Sequence, residues 1–97
     1  MKKIELLELY TAQKKRCFYC FGPMRFVRGQ GPVDYTVDHF LAKCKGNKSN
    51  GNIVLAHAKC NLEKGHRDPT QAECIRKDNL YRIVKDFRQE LRDFVGV

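Results

Sequence analysis

The sequence predicts an α+β fold in a single domain over residues 1–97, with a small central unit over 17–66, an N-terminal helix before it and C-terminal helices over 70–95 after it. Three observations carry that expectation. Cys17-x2-Cys20 and His57-x2-Cys60 are two pairs of metal-ligating side chains at one spacing. Tyr35-Thr-Val and Ile53-Val-Leu-Ala are short runs of branched and aromatic residues of strand type. Leu80, Ile83, Val84, Phe87, Leu91 and Phe94 mark one apolar stripe with charges opposite.

Each element follows from a local signal. Over residues 3–15, Ile4, Leu7, Tyr10 and Thr11 recur at helical spacing, Leu6 and Leu9 widen the face, and lysines close the C-terminal end, where they suit the helix dipole. Phe21-Gly-Pro-Met and Gly29-Gln-Gly-Pro are turn signals, with a short strand expected between them at Arg25-Phe-Val. Tyr35-Thr-Val alternates into Asp38-His39, and Ile53-Val-Leu-Ala is apolar throughout, so both are predicted as strands. The segment 43–51 between them reads as a solvated loop. A short helix is predicted from about His57, with Gly65 as its C-cap. Thr70-Gln-Ala-Glu73 has capping-box spacing and opens the C-terminal part, with a candidate division into two helices at Asp78-Asn79.

Composition narrows the classes. Ninety-seven residues bury only a modest core, and chains this short commonly need a metal or disulfides. Five cysteines cannot all pair with one another. The opening Met1-Lys-Lys-Ile-Glu-Leu-Leu-Glu-Leu is interrupted by Glu5 and Glu8 where a secretory leader would need an apolar run, so thiols in a reducing compartment, bound to metal, are expected. No stretch approaches the roughly 20 apolar residues that span a bilayer, which predicts a soluble, cytoplasmic protein with no membrane partner. Nineteen Lys and Arg against eleven Asp and Glu give a formal charge of +8, which points to a polyanionic partner.

The two ligand pairs specify the first metal. Cys17, Cys20, His57 and Cys60 form a Cys₃His set that selects Zn²⁺ in tetrahedral order and leaves no open position, so the site is expected to be structural. Binding energies on the order of 10 kcal/mol in comparable small sites would offset much of what the core cannot supply. Cys44 and Cys74 lack paired partners and read as free thiols, with Cys44 the substitute ligand should His57 face elsewhere.

The residues between and after these pairs resemble the HNH endonuclease family. That family's pattern is an Asp or His followed by His on a first strand, an Asn before the second strand, and a His or Asn on the helix just after the last zinc ligand. Asp38-His39, Asn52 and Asn61 stand in those three places here, Lys64-Gly65 matches a frequent helix end, and Tyr35-Thr-Val-Asp-His a typical approach. The resemblance covers residues 17–66. It implies a ββα-metal, treble-clef-like core, one catalytic divalent cation, and DNA cleavage leaving a 5′-phosphate and a 3′-hydroxyl. It departs from the pattern at Ala42 and Gly46-Asn47, where relatives often carry Pro and Gly-Gly, and at His57, where a Cys is usual. Small free-standing members are frequent in phages and bacteria.

The chemistry can also be reasoned from the residues. Phosphodiester hydrolysis requires an activated water and charge neutralisation on the phosphate. His39 suits the general base, because a histidine near its reference pKa of about 6.5 is substantially neutral at physiological pH. Asp38 supplies a hard anionic oxygen for Mg²⁺ or Mn²⁺ and the Asn61 amide oxygen a second. Asn52 is expected to bond the loop backbone and hold His39 in position. A strict strand would send Asp38 and His39 to opposite faces, so the strand must end or twist at the pair. His66, five residues beyond Asn61, falls about 140° round an ideal helix and is not expected to be a ligand unless the chain breaks at Gly65. Phosphate contacts are expected from Lys43, Lys45, Lys48, Lys64 and Arg67. Two further readings account for part of the pattern: a zinc-bound module that binds nucleic acid without cutting it, and an adaptor that meets a protein partner through the C-terminal helix.

Overall fold

The computed structural model describes the backbone of residues 2–41 and 52–95, and the side chains of those up to residue 90. Lys43, Lys45, Lys48 and Cys44, as well as the Leu91 and Phe94 side chains, lie outside the described residues. The chain forms α1 (Lys3–Ala12), β1 (Arg25–Arg28), β2 (Asp34–His39), β3 (Ile53–Ala56), α2 (Ala58–Lys64) and α3 (Gln71–Val95). The fold is α+β, with one three-stranded sheet in the order β1-β2-β3.

Strand β3 is the centre of the core. All four of its residues are buried, Val54, Leu55 and Ala56 completely, which is why its sequence is an unbroken apolar run. It pairs antiparallel with β2, placing Asp38 opposite Val54 and His39 opposite Ile53. The expected strand at Arg25-Phe-Val adds a third member: β1 runs parallel to β2 through an irregular ladder, Arg25 opposite Asp34 and Arg28 opposite Tyr35. Phe26 stacks on Tyr35, with ring centroids 5.3 Å apart, and packs against Tyr10 at 5.1 Å. The Asp34 carboxylate accepts from Arg25 Nε at 2.6 Å and from the Gly31 amide at 3.0 Å, which closes the intervening turn.

The free edge of β3 is covered by a side chain. Gln13 Nε2 donates to Leu55 O at 2.9 Å while the Leu55 amide donates to Gln13 Oε1 at 2.8 Å, so one glutamine stands in for a neighbouring strand. Helix α1 must stop at Ala12 to present it, and Lys14 and Lys15 take left-handed backbone, φ 57° and 62°. The helix is shorter than the periodicity suggests, and its buried face differs too. Leu6, Leu9, Tyr10 and Ala12 are buried, whereas Ile4 and Leu7 are exposed. Both stripes are apolar, and packing against β3 and α3 selects between them.

Helix α3 is continuous across Asp78-Asn79, in contrast to the candidate division there. Neither residue lacks a backbone donor, and the helix contains no proline or glycine to break it. Thr70 and Glu73 form the capping box, each amide donating to the other's side chain at 3.0 and 3.1 Å. Leu80 is buried and Val84 packs on the core, while Ile83 and Phe87 remain about 40 % exposed. Arg88 Nε meets Glu8 Oε2 at 2.6 Å, tying α3 to α1. Among the described residues no helix is long and apolar enough to cross a membrane.

Candidate metal centre and active site

The knuckle at 17–20 and the start of α2 bring Cys17, Cys20, His57 and Cys60 together, with one ligand atom from each lying within 4.8 Å of all the others. A tetrahedral zinc with bonds of about 2.3 Å has edges of about 3.8 Å, so a small contraction completes the site. His57 Nδ1 is 3.3 Å from Cys20 Sγ and 4.0 Å from Cys60 Sγ. Its Nε2 lies 2.9 Å from the carbonyl of Pro23. A carbonyl can only accept, so Nε2 carries the proton and Nδ1 presents its lone pair to the cluster. The Gly22 amide donates to Cys20 Sγ at 3.3 Å. A Cβ at Gly22 would stand 3.1 Å from His57 Cε1, so a glycine lets the ring approach.

The thiols respond to one another. Burial raises the Cys20 pKa, but the Gly22 amide and hydrogen bonds from Cys17, Cys60 and His57 outweigh it and bring the thiol down to about 7. Burial, then the charge of Cys17 and its neighbours, pushes Cys60 up to about 12. Three thiolates cannot share this space without a cation between them. The donor set fits a divalent metal such as zinc.

Beyond the cluster, an open cleft of about 450 Å³ is lined by Val37, Asp38, His39, Asn61, Leu62, Gly65 and His66. Asp38 and His39 both reach it although they are consecutive, and β2 ends at His39. Asn52 is buried just beyond, where its Oδ1 accepts from the Leu41 amide and its Nδ2 donates to the Leu41 carbonyl, both at 2.7 Å. The Phe40 amide bonds Asn52 O at 2.7 Å. Strand β2 is thus tied off directly after His39.

Asn61 is oriented by a relay. Thr36 Oγ1 donates to Ala56 O at 2.8 Å and so must accept from Asn61 Nδ2 at 3.1 Å. The amide nitrogen faces β2, leaving Oδ1, the atom a cation needs, at the other end of the group. Asp38 is buried with two partners: the Tyr19 hydroxyl donates to Oδ2, and Lys64 Nζ lies 3.4 Å from each carboxylate oxygen. Burial, and next the bond to Asp38, raises the Tyr19 pKa far above the ordinary phenol range, so this hydroxyl stays a donor.

Comparison with known protein families and with curated proteins gives no match. The site therefore rests on its own geometry.

Two of the lysines and arginines expected at phosphate have internal partners. Lys64 is buried, 2 % exposed at its side chain, and its ammonium binds the Asp38 carboxylate and the His39 carbonyl, the latter at 2.6 Å. Arg67 binds both oxygens of Glu73. Charge alone predicts a solvated face for both, and it cannot reveal that β2 and the start of α3 carry acidic or carbonyl partners within reach. His66 differs in the opposite sense. Gly65 adopts φ 55° and ends α2, so helical geometry no longer applies and His66 lines the same cleft as Asp38, His39 and Asn61. The glycine was the available signal. No local pattern marks the contacts of Tyr19 or Arg76: Arg76 donates to Phe18 O at 2.7 Å and lies over the rings of Phe18 and Phe21, bracing the knuckle from α3.

Proposed function

We propose that the chain is a metal-dependent DNA endonuclease of the HNH type, hydrolysing phosphodiester bonds with His39 as general base and one divalent cation, Mg²⁺ or Mn²⁺, held by Asp38 and Asn61. The observation that carries this reading is the meeting of Asp38, His39 and Asn61 in one open cleft, separate from a Cys₃His cluster that explains the cysteines. The formal charge of +8 suits a polyanionic substrate.

In this reading His39 takes a proton from the attacking water at the mouth of the cleft. Asp38 contributes anionic oxygen and Asn61 its Oδ1, a hard donor set that fits Mg²⁺ or Mn²⁺. When bound, the cation would neutralise phosphate charge and stabilise the leaving oxygen. Asn52 fixes the backbone beyond His39, and Lys64 holds the His39 carbonyl. Structural zinc fixes α2 through Cys60, the residue before Asn61.

One observation favours the second reading, a zinc-bound nucleic-acid-binding module. Asp38 already has Tyr19 and Lys64 as partners, and a purely structural buried carboxylate would need such partners too. Incubation of supercoiled plasmid with the zinc-loaded protein and Mg²⁺ or Mn²⁺, beside His39→Ala, separates the two. Relaxed or linear product from the wild type, reduced by about 10²–10⁴-fold in H39A, supports the nuclease. A gel shift with plasmid left intact at every metal concentration supports the binding module.

A further inference from the structure

Tyr19 lies inside the metal knuckle, between Cys17 and Cys20, yet its hydroxyl leaves the knuckle and reaches Asp38 Oδ2. Its ring is held edge-on by Phe18 at 5.1 Å, and Phe18 in turn packs edge-on against Phe40 at 5.7 Å. Arg76 anchors the Phe18 carbonyl. The hydroxyl therefore has little freedom to look for another partner. Lys64, one helical turn after Cys60 on α2, lies 3.4 Å from both oxygens of the same carboxylate. Both groups that orient Asp38 are thus carried by elements that the Cys₃His cluster pins, and neither lines the cleft itself. They line a neighbouring cavity with Cys20, Cys60, Glu63 and Arg67.

We infer that Tyr19 is a positioning residue for the cleft: it holds the Asp38 carboxylate in the orientation that receives the divalent cation, and so makes cation binding depend on loading of the Cys₃His cluster. The inference rests on the nuclease reading for the identity of the cleft. A carboxylate with one oxygen fixed by a donor presents its remaining lone pairs in one direction, and partners of this kind are worth about 10–100-fold in metal affinity.

The test compares Tyr19→Phe with Tyr10→Phe in zinc-loaded protein. Tyr10 also loses a buried hydroxyl bond, to Met24 O at 2.8 Å, but it lies on α1 and does not line the cleft. Mn²⁺ binding is measured from the free-ion resonance signal, zinc content by elemental analysis, and cleavage on plasmid. Y19F is expected to keep its zinc and bind Mn²⁺ about 10–100-fold more weakly, with the half-maximal Mn²⁺ for cleavage rising in step. Y10F is expected to lower the melting temperature and leave Mn²⁺ binding unchanged. Equal Mn²⁺ affinity in Y19F and wild type overturns the inference while the nuclease reading stands. A wild type that binds Mn²⁺ without cutting sinks the nuclease reading alone, and one that binds no Mn²⁺ sinks both. If Y19F fails to hold zinc, a fluorotyrosine placed at position 19 of the intact chain decides: its fluorine resonance should move on Mg²⁺ addition, and a resonance that stays fixed overturns the inference.

Discussion

Arg67 grips Glu73 through two parallel bonds, Nη1 to Oε1 at 2.8 Å and Nη2 to Oε2 at 2.9 Å. The pair joins the chain leaving α2 to the first turn of α3, and the same carboxylate caps that helix through the Thr70 amide. The Arg67 bond holds the Glu73 pKa down, burial opposes it, and the Thr70 amide assists, leaving it at about 2 against 4.5 ordinarily. Because the folded value is the lower one, the stabilisation is present above pH about 4.5 and is lost as pH falls towards about 2. Arg67 is 44 % exposed, so solvent screening reduces what the shift implies. Glu73→Gln should cost about 1–2 kcal/mol at neutral pH. Urea denaturation of both proteins across the acid range should show the gap narrowing below pH about 4.5. A gap independent of pH would rule out the ionised carboxylate as its source.

Removing the clustered metal should unfold the central unit. The Cys₃His set ties the knuckle to α2, and the chain buries a core of modest size around Leu55 and Val54. Site energies on the order of 10 kcal/mol exceed what such a core supplies in surplus. Chelation, or Cys17→Ser, should release about one zinc per chain and collapse the far-ultraviolet circular dichroism signal. Protons compete for the thiolates, most strongly at Cys60, whose pKa is raised to about 12 without a cation. Zinc affinity should therefore weaken as pH is lowered, with proton release on loading measurable by calorimetry in two buffers. Native protein free of stoichiometric metal would contradict this.

What the sequence made legible was periodic or paired. The equal spacing of Cys17-x2-Cys20 and His57-x2-Cys60 anticipates the cluster, because a metal demands its ligands in a fixed geometry that short spacings can supply. Ile53-Val-Leu-Ala announces a strand buried on both faces. What stayed illegible depends on partners distant in sequence. The partner of Tyr19 is 19 residues away and that of Lys64 is 26, and nothing local distinguishes a buried ammonium from a solvated one. The α1 face was ambiguous because two apolar stripes share the helix. The place of His66 turns on the break at Gly65: the glycine marks where the helix ends, but not the direction in which the chain leaves it.

The Gln13 clamp should be worth more than an ordinary surface glutamine. Its amide bonds both the N–H and C=O of Leu55, which is 0 % exposed, and the carbonyl also accepts from the Phe18 amide at 3.1 Å. Gln13→Ala leaves a buried amide donor without its partner, at a cost of about 1–3 kcal/mol. Gln13→Glu keeps an acceptor for the Leu55 amide but sets a carboxylate oxygen against the Leu55 carbonyl, which then keeps only the Phe18 amide as donor, and should be destabilised as well. Thermal denaturation of the two variants checks this, and Q13A melting with the wild type would show that the edge of β3 finds another partner.

Two imidazoles face the cleft, and they should differ in kinetic signature. His39 ends β2, where Asn52 and Lys64 fix the adjacent backbone, and under the proposed nuclease reading its removal takes away the general base and acts on the chemical step. His39→Ala should therefore lower the cleavage rate by about 10²–10⁴-fold even at saturating Mn²⁺. His66 follows the Gly65 turn beside Asn61 and is expected to assist cation binding instead. His66→Ala should raise the half-maximal Mn²⁺ concentration by about tenfold and leave the saturated rate close to that of the wild type. Plasmid cleavage followed across a Mn²⁺ titration, with zinc content checked in both variants, gives the two effects separately. The assignment fails if H66A loses rate at saturation while its Mn²⁺ dependence is unchanged, because that outcome would place His66 in proton transfer or phosphate contact.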